Sequence, residues 1–346
     1  MSPKKAPPPK RTAAPMREQI TIEFPSNALL AGLAGTHQKH FVRLEQKFGV
    51  RLATRGNLVG IEGADDARTR AAAVLRALYA RLEGGEDVNM GDVDAEILFA
   101  TEDRHPTIDT SDFGVPSIKT GNAKVTRARN PAQSAYLDLM RTHPLVFGIG
   151  PAGTGKTYLA AAFGAHLLHT RRVERLILSR PALEAGERLG FLPGTLEEKI
   201  DPYLRPLRDA LFDTLGPQFE KLMETGVIEF SPLAFMRGRT LSRAFIILDE
   251  AQNATSPQMK MFLTRLGEDS RMVVTGDVSQ SDLPGGRAEG LNQALNLLSD
   301  TEGVAVAHFS EKDVVRHSLV TRIVSAYAAA EAQGGELPAR YRKSSE

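Results

Sequence analysis

The chain contains no cysteine. That excludes disulfides, thiolate nucleophiles and cysteine-ligated zinc or iron–sulfur centres, and it fits a reducing compartment. It also lacks a sizeable net charge of either sign. Lys and Arg number 43 against 42 Asp and Glu, so no global field advertises a nucleic acid or a membrane. Long apolar runs are missing too. The most apolar stretch, Tyr158–Leu168, is broken by Gly164 and His166 and falls far short of the ~18 residues a membrane span needs. The first residues have no apolar core of secretory type. These absences predict a soluble protein of the cytoplasm with no membrane association. What is present is ordinary: 346 residues, 42% hydrophobic and 25% charged. That is enough for two domains of roughly 100–200 residues each, with tails.

Residues 1–17 combine Lys4, Lys5, Lys10, Arg11 and Arg17 with Pro3, Pro7, Pro8, Pro9 and Pro15. Such a segment cannot bury enough apolar surface to fold, so a disordered basic tail is expected, serving solubility or loose contact with phosphates. Patterning begins at residue 18. Ile20, Ile22 and Phe24 alternate with polar residues like a half-buried strand. Helical stretches over Asn27–Leu33 and Thr36–Phe48 follow, then alternation at Val50–Thr54, a turn at Arg55–Asn57, a strand at Leu58–Ile61 and a helix over Ala64–Leu82. This β-α-α-β-β-α order over residues 18–83 resembles a KH RNA-binding module. The signature of that module is a GXXG loop, between its first two helices, that clamps the nucleic-acid backbone. Gly32–Gly35 matches those letters, while the spacing from Phe41, Leu44 and Gly49 favours Gly35–Gln38, with Gln38 in place of the second glycine. RNA is the partner this module implies. Lys39, Arg43, Lys47, Arg51 and Arg55 are candidate phosphate contacts, or else a solvated basic face.

Residues 84–126 read as a linker with one short helix near Asp94–Thr101. The strongest chemistry starts at Leu145–Ile149, an apolar run typical of a buried parallel strand. It leads directly into Gly150, Pro151, Ala152, Gly153, Thr154, Gly155, Lys156 and Thr157, a complete G-x₄-G-K-T, and then an Ala-rich helical segment to His169. Strand, glycine loop and helix in that order are the context of a phosphate-binding P-loop. Backbone N–H groups would converge on phosphate oxygens at a helix N-terminus. Lys156 would reach the β and γ phosphates of ATP, and the Thr157 hydroxyl would ligate Mg²⁺. A second apolar run, Ala244–Leu248, ends in Asp249 and Glu250, carboxylates suited to the Mg²⁺ shell and to polarising an attacking water respectively. Further on, Arg271–Thr275 reads as another buried strand. Gln280 just beyond it is a candidate γ-phosphate sensor, with a simple turn at Asp277 as the competing reading. Upstream, Asn130–Gln133 resembles the glutamine motif with which some helicases read adenine, and serves equally well as a helix cap.

Taken together, Gly150–Thr157, Arg180–Glu187, Leu189–Gly194, Leu248–Asn253, Thr275–Asp277 with Gln280, and Val314–Val320 resemble the PhoH family of ATPases over about residues 127–330. The KH-like front end resembles the branch of that family bearing such a module rather than the branch fused to a PIN nuclease. The resemblance implies an ATPase core similar to the first motor domain of superfamily 1 helicases, RNA-linked work in an rRNA-maturation context, possible company with the endonuclease YbeY, and a homo-oligomeric ring. The expected architecture is α/β: a mostly parallel, RecA-like P-loop sheet covered by helices over residues 127–332, preceded by the small α+β domain and followed by a tail over residues 333–346. Strands are expected at 145–149, 175–179, 227–230, 244–249, 271–275 and 304–308, with a largely helical insertion from Arg180 to Gly226. Arg316, near the start of the last helix, is the candidate arginine finger, or else a helix-capping residue. Two functions stay open: an RNA-stimulated ATPase that remodels RNA, and an RNA-binding scaffold for a nuclease partner that uses ATP as a slow switch.

Overall fold

The computed structural model describes residues 19–101, 126–181, 196–280 and 288–314, together with Ile323 and Ala326; for residues 196–203 the backbone alone is described. These residues form two compact units. In the smaller, strands β1 (Gln19–Glu23), β2 (Arg51–Arg55) and β3 (Leu58–Glu62) make an antiparallel sheet in the order β1-β3-β2. Helices α1 (Asn27–Ala34), α2 (Lys39–Phe48) and α3 (Asp65–Glu83) complete the expected β-α-α-β-β-α sequence. Alternating side chains decide which face is buried. Ile22 points inward from β1, as do Val59 and Ile61 from β3, onto a core with Leu30, Leu33, Phe41, Leu44, Leu75 and Leu78. The helix expected in the linker is longer and more engaged than its sequence suggests. Helix α4 (Met90–Thr101) packs against α3, and Val93 and Ile97 join the same core. Its polar side is tied down by Arg81, which bonds both Asp92 and Glu96.

The larger unit is built on six strands, all parallel, in the order β6-β5-β7-β8-β4-β9. They are β4 (Leu145–Ile149), β5 (Arg175–Ser179), β6 (Ile228–Phe230), β7 (Ala244–Leu248), β8 (Arg271–Gly276) and β9 (Val304–His308), within a residue or so of every expected position. Every residue of β4 and β7 is buried, as expected of parallel strands covered on both faces. Helices α5 (Pro131–Thr142), α6 (Lys156–His169), α7 (Leu196–Leu215), α8 (Gln218–Glu224), α9 (Ser256–Leu263) and α10 (Glu289–Leu298) supply the cover. In the helical insertion, Leu204, Leu207, Leu211 and Leu215 of α7 form a buried stripe. Helix α9 starts at a capping box, in which the Gln258 side chain accepts from the Thr255 backbone N–H at 2.9 Å. Helix α6 lies very close to the sheet. A Cβ on Gly164 would sit 2.6 Å from Phe245 and 2.7 Å from Leu176, so only glycine fits between helix and strands.

Candidate nucleotide site

The carboxyl ends of β4, β7 and β8 adjoin in the sheet, and the loops leaving them build one cleft. After Ile149 the chain turns through Gly150 (φ 146°), Gly153 (φ 83°) and Gly155 (φ 85°), and α6 begins at Lys156. These positive dihedrals are ones that side-chain-bearing residues rarely adopt, so the glycine spacing is what lets the loop curl over its own helix start. The first N–H groups of α6 have no intrahelical acceptor and, with the helix dipole, mark an anion site. Lys156 is buried and its Nζ donates to the carbonyls of Gly150 at 2.6 Å and Pro151 at 2.7 Å. Burial pushes its pKa down, against the opposing pull of Asp277, Asp249 and Glu250.

Asp249, at the end of β7, is buried beneath the loop. Its Oδ1 accepts from the Thr157 hydroxyl at 2.6 Å and from the Thr275 hydroxyl of β8 at 2.6 Å. Thr157 and Asp249 are thus in contact although 92 positions apart. A hydroxyl and a carboxylate are hard oxygen ligands, and Mg²⁺ in nucleotide sites asks for only one or two from the protein. The pair therefore suits that ion.

Glu250 follows in a left-handed conformation (φ 53°), which swings its side chain out of the strand direction toward the cleft. Gln252 Nε2 donates to its Oε2 at 2.5 Å, and Arg180 Nη2 lies 3.5 Å from its Oε1. The same Gln252 accepts the Asp277 N–H through Oε1 at 3.1 Å. One amide thereby bridges the loop after β7 to the loop after β8. Asp277 in turn accepts from the Ser279 N–H and hydroxyl, at 2.9 and 2.6 Å. Gln280 closes this turn by donating its N–H to the Asp277 carbonyl at 3.2 Å, and it also lines the cleft. The expected turn at Asp277 is present, and Gln280 sits on the cleft wall.

Gln133 is buried, and its Nε2 donates to the Thr154 carbonyl at 2.9 Å. It lies against the P-loop, where a Cβ on Gly155 would approach the same nitrogen to 2.9 Å. Arg316 and the segment Leu189–Gly194 lie outside the described residues, as does the expected closing helix apart from Ile323 and Ala326. The cleft, of about 370 Å³, is lined by the loop, by Asp249, Glu250, Gln252, Asp277 and Gln280, and by Asp209 and Asp213 of α7. Sequence reasoning missed the roles of Thr275, Gln252 and the two α7 aspartates. In the sequence Thr275 stands out only as the end of a buried strand and as part of the segment Thr275–Asp277, with no role attached. Asp209 and Asp213 are one helical turn apart, the single signal that could have paired them.

An apolar strand feeding a glycine loop, a helix starting at its lysine, and a second strand end delivering a carboxylate to the adjacent threonine define a P-loop NTPase. Residues 125–328 match the family described as "PhoH-like protein", and the chain belongs to that family. A PhoH-like protein of Mycobacterium bovis is 48% identical over 328 residues, covering 94% of this chain and 92% of its own length. The PhoH-like protein of Bacillus subtilis is 45% identical over 307 residues, 88% of this chain and 95% of its own. Protein PhoH of Escherichia coli is 47% identical over 204 residues, 58% of each chain.

Proposed function

We propose that the protein is a Mg²⁺-dependent ATPase whose turnover is linked to RNA. The observation that carries the ATPase reading is the meeting of Lys156, Thr157, Asp249 and Glu250 in a single cleft of about 370 Å³, within the ordinary size range of small-ligand sites. Mg²⁺ held by Thr157 and Asp249 would neutralise phosphate charge. Lys156 gives up its loop carbonyls for phosphate oxygens, and the α6 N-terminus holds the same phosphates through N–H groups. Glu250 accepts the proton of the water that attacks the terminal phosphorus as the bond to ADP breaks. Each of its oxygens already has a donor nearby, but a carboxylate oxygen has two lone pairs, so one remains for the water. Arg180 and Gln252 fix where that lone pair points. Glu250→Gln keeps the shape and removes the base. It should bind ATP normally and turn it over about 10²–10⁴-fold more slowly, whereas Lys156→Ala should weaken binding itself. Steady-state ATPase alongside nucleotide titration checks both, and near-normal turnover in Glu250→Gln would sink the assignment of the base.

The RNA link rests on the smaller unit. Its loop between α1 and α2 is Gly35–Gln38, since Gly32 lies inside α1. Lys39 adjoins it, and Lys47, Arg51 and Arg55 are exposed further along α2 and β2, whereas Arg43 is occupied by Asp94 at 2.6 Å. Four cations remain to track a backbone. Affinity for single-stranded RNA should then fall with salt at roughly 0.7 log units per contact. Replacing Lys39, Lys47 and Arg51 by Gln should flatten that slope and leave RNA-free ATPase unchanged. An unchanged slope removes this surface from consideration. RNA that binds without stimulating turnover would favour the scaffold reading over the remodelling one, because a ligand indifferent to nucleotide state shifts nothing.

A further inference from the structure

The edge of the large sheet opposite the nucleotide cleft carries a second depression, of about 320 Å³, where β4, β5 and β8 begin. Its lining includes three arginines, Arg141, Arg172 and Arg271, and one carboxylate, Asp269. Phe163, Leu167 and Val173 form an apolar floor. Part of the positive charge has a structural task. Arg271 donates from Nη1 to the carbonyls of Met140 and His143, both at 3.1 Å, and so closes the end of α5. Its other guanidinium nitrogens have no protein acceptor among the described residues, and neither Arg271 nor Arg172 has an ion-pair partner there. Arg141 makes only a long contact, 3.4 Å, to Asp138 of its own helix, and is half exposed.

The charge balance favours an anion. The carbonyl ends of α5 and α6 contribute about half a negative charge each. Asp269 adds a full negative charge and the three arginines three positive ones. Among the groups lining the hollow about one positive charge is left over, and Asp138, which contacts Arg141 from outside that lining, offsets part of it. Arg271 reports the crowding: burial first, and then the Arg172 guanidinium, push its pKa down. Two guanidiniums lining one hollow, neither with an ion-pair partner among the described residues, present forked donors to phosphate oxygens.

We propose that this hollow binds the phosphate end of a small organic phosphate, with its apolar portion on the Phe163–Val173 floor, at a site separate from the P-loop. The apolar floor favours a compact organic phosphate over the continuous backbone of an RNA.

The test counts sites on the full chain by equilibrium dialysis with labelled ADP. Two sites per chain are expected for the unaltered protein, the weaker one lost in the Arg141→Gln/Arg172→Gln variant and retained in Lys156→Ala. The tighter site, at the P-loop, reports that the double variant is folded, and Arg172→Lys should recover part of the weaker site. Inorganic phosphate should displace ADP from the weaker site, but with at least tenfold lower affinity than ADP itself, because it leaves the floor uncovered. One ADP per chain in the unaltered protein overturns the proposal. So does a second site insensitive to Arg141→Gln/Arg172→Gln, or one displaced by a single-stranded RNA oligonucleotide more readily than by phosphate.

Discussion

Two loops in this molecule precede a helix and require left-handed backbone, and they meet that requirement differently. In the phosphate loop the positions with positive φ are Gly150, Gly153 and Gly155. In the smaller unit's Gly35–Gln38 loop, Gly35 is followed by His37 (φ 54°) and Gln38 (φ 57°), side-chain-bearing residues in the same left-handed region. The first loop has a glycine at each of its left-handed positions. The second tolerates strain and keeps its side chains. The difference teaches that close backbone approach is built into the larger unit, while any ligand of the smaller one is met by side chains, with Gln38 standing where a clamp of the GXXG kind would have glycine.

The sharpest way to break this contrast is to remove the advantage of the first loop. Gly155→Ala places a methyl group in a disfavoured conformation and 2.9 Å from Gln133 Nε2. Backbone strain of this type costs on the order of 1–3 kcal/mol, so ADP affinity should fall about ten- to a hundredfold in a calorimetric titration. The reciprocal change in the other loop should help. Gln38→Gly relieves about 1–2 kcal/mol of left-handed strain and gives back part of it as chain entropy. A net gain of ~0.5–1 kcal/mol is expected in the smaller unit's thermal transition, with no change in nucleotide binding. A loss of stability would show that the Gln38 side chain has a task of its own.

The smallest effect concerns the sheet that carries the first loop. Arg239 forks onto Glu229 of the edge strand β6, at 2.5 and 2.8 Å. This hydrogen bonding, against burial, holds the Glu229 carboxyl below its ordinary value of 4.5. The folded pKa is depressed, so the stabilisation is complete above about 4.5 and disappears as pH falls through the lower folded value. Both side chains are about a third exposed, 29% and 34%, which limits the contribution to ~1 kcal/mol or less. The melting temperature of Arg239→Gln should therefore lie slightly below the parent's near neutral pH and converge with it as the pH falls below 4.5.

Much of this architecture was legible in the sequence because its signals are local. The six strands of the large sheet are short apolar runs bounded by polar punctuation, and each formed within a residue or so of its expected place. The P-loop was legible because strand, glycine spacing and helix are contiguous. The rest depends on distance. Asp249 meets Thr157 and Thr275 only after three separate strands are laid side by side, and no periodicity announces which hydroxyl will face which carboxylate. Gln252 bridges two loops, a role set by the left-handed turn at Glu250 rather than by composition. Helix α4 looked like linker because its surroundings are acidic and glycine-rich. Met90, Val93, Ile97 and Ala100, which face the core, do fall at helical spacing, but small or single residues among acidic neighbours give that stripe little weight.

The tight seat of Gly164 gives α6 the character of a lever on a fixed pivot. Lys156 lies eight residues, about two turns and ~12 Å, from that contact. Any side chain there would pry the helix from Phe245 and Leu176. A tilt of only about 5° would swing the far end by ~1 Å, and a displacement of that size at reacting groups can cost on the order of 10²-fold in rate. The aim of the lysine is therefore set in the interior of the sheet, two turns away from the phosphates it would hold.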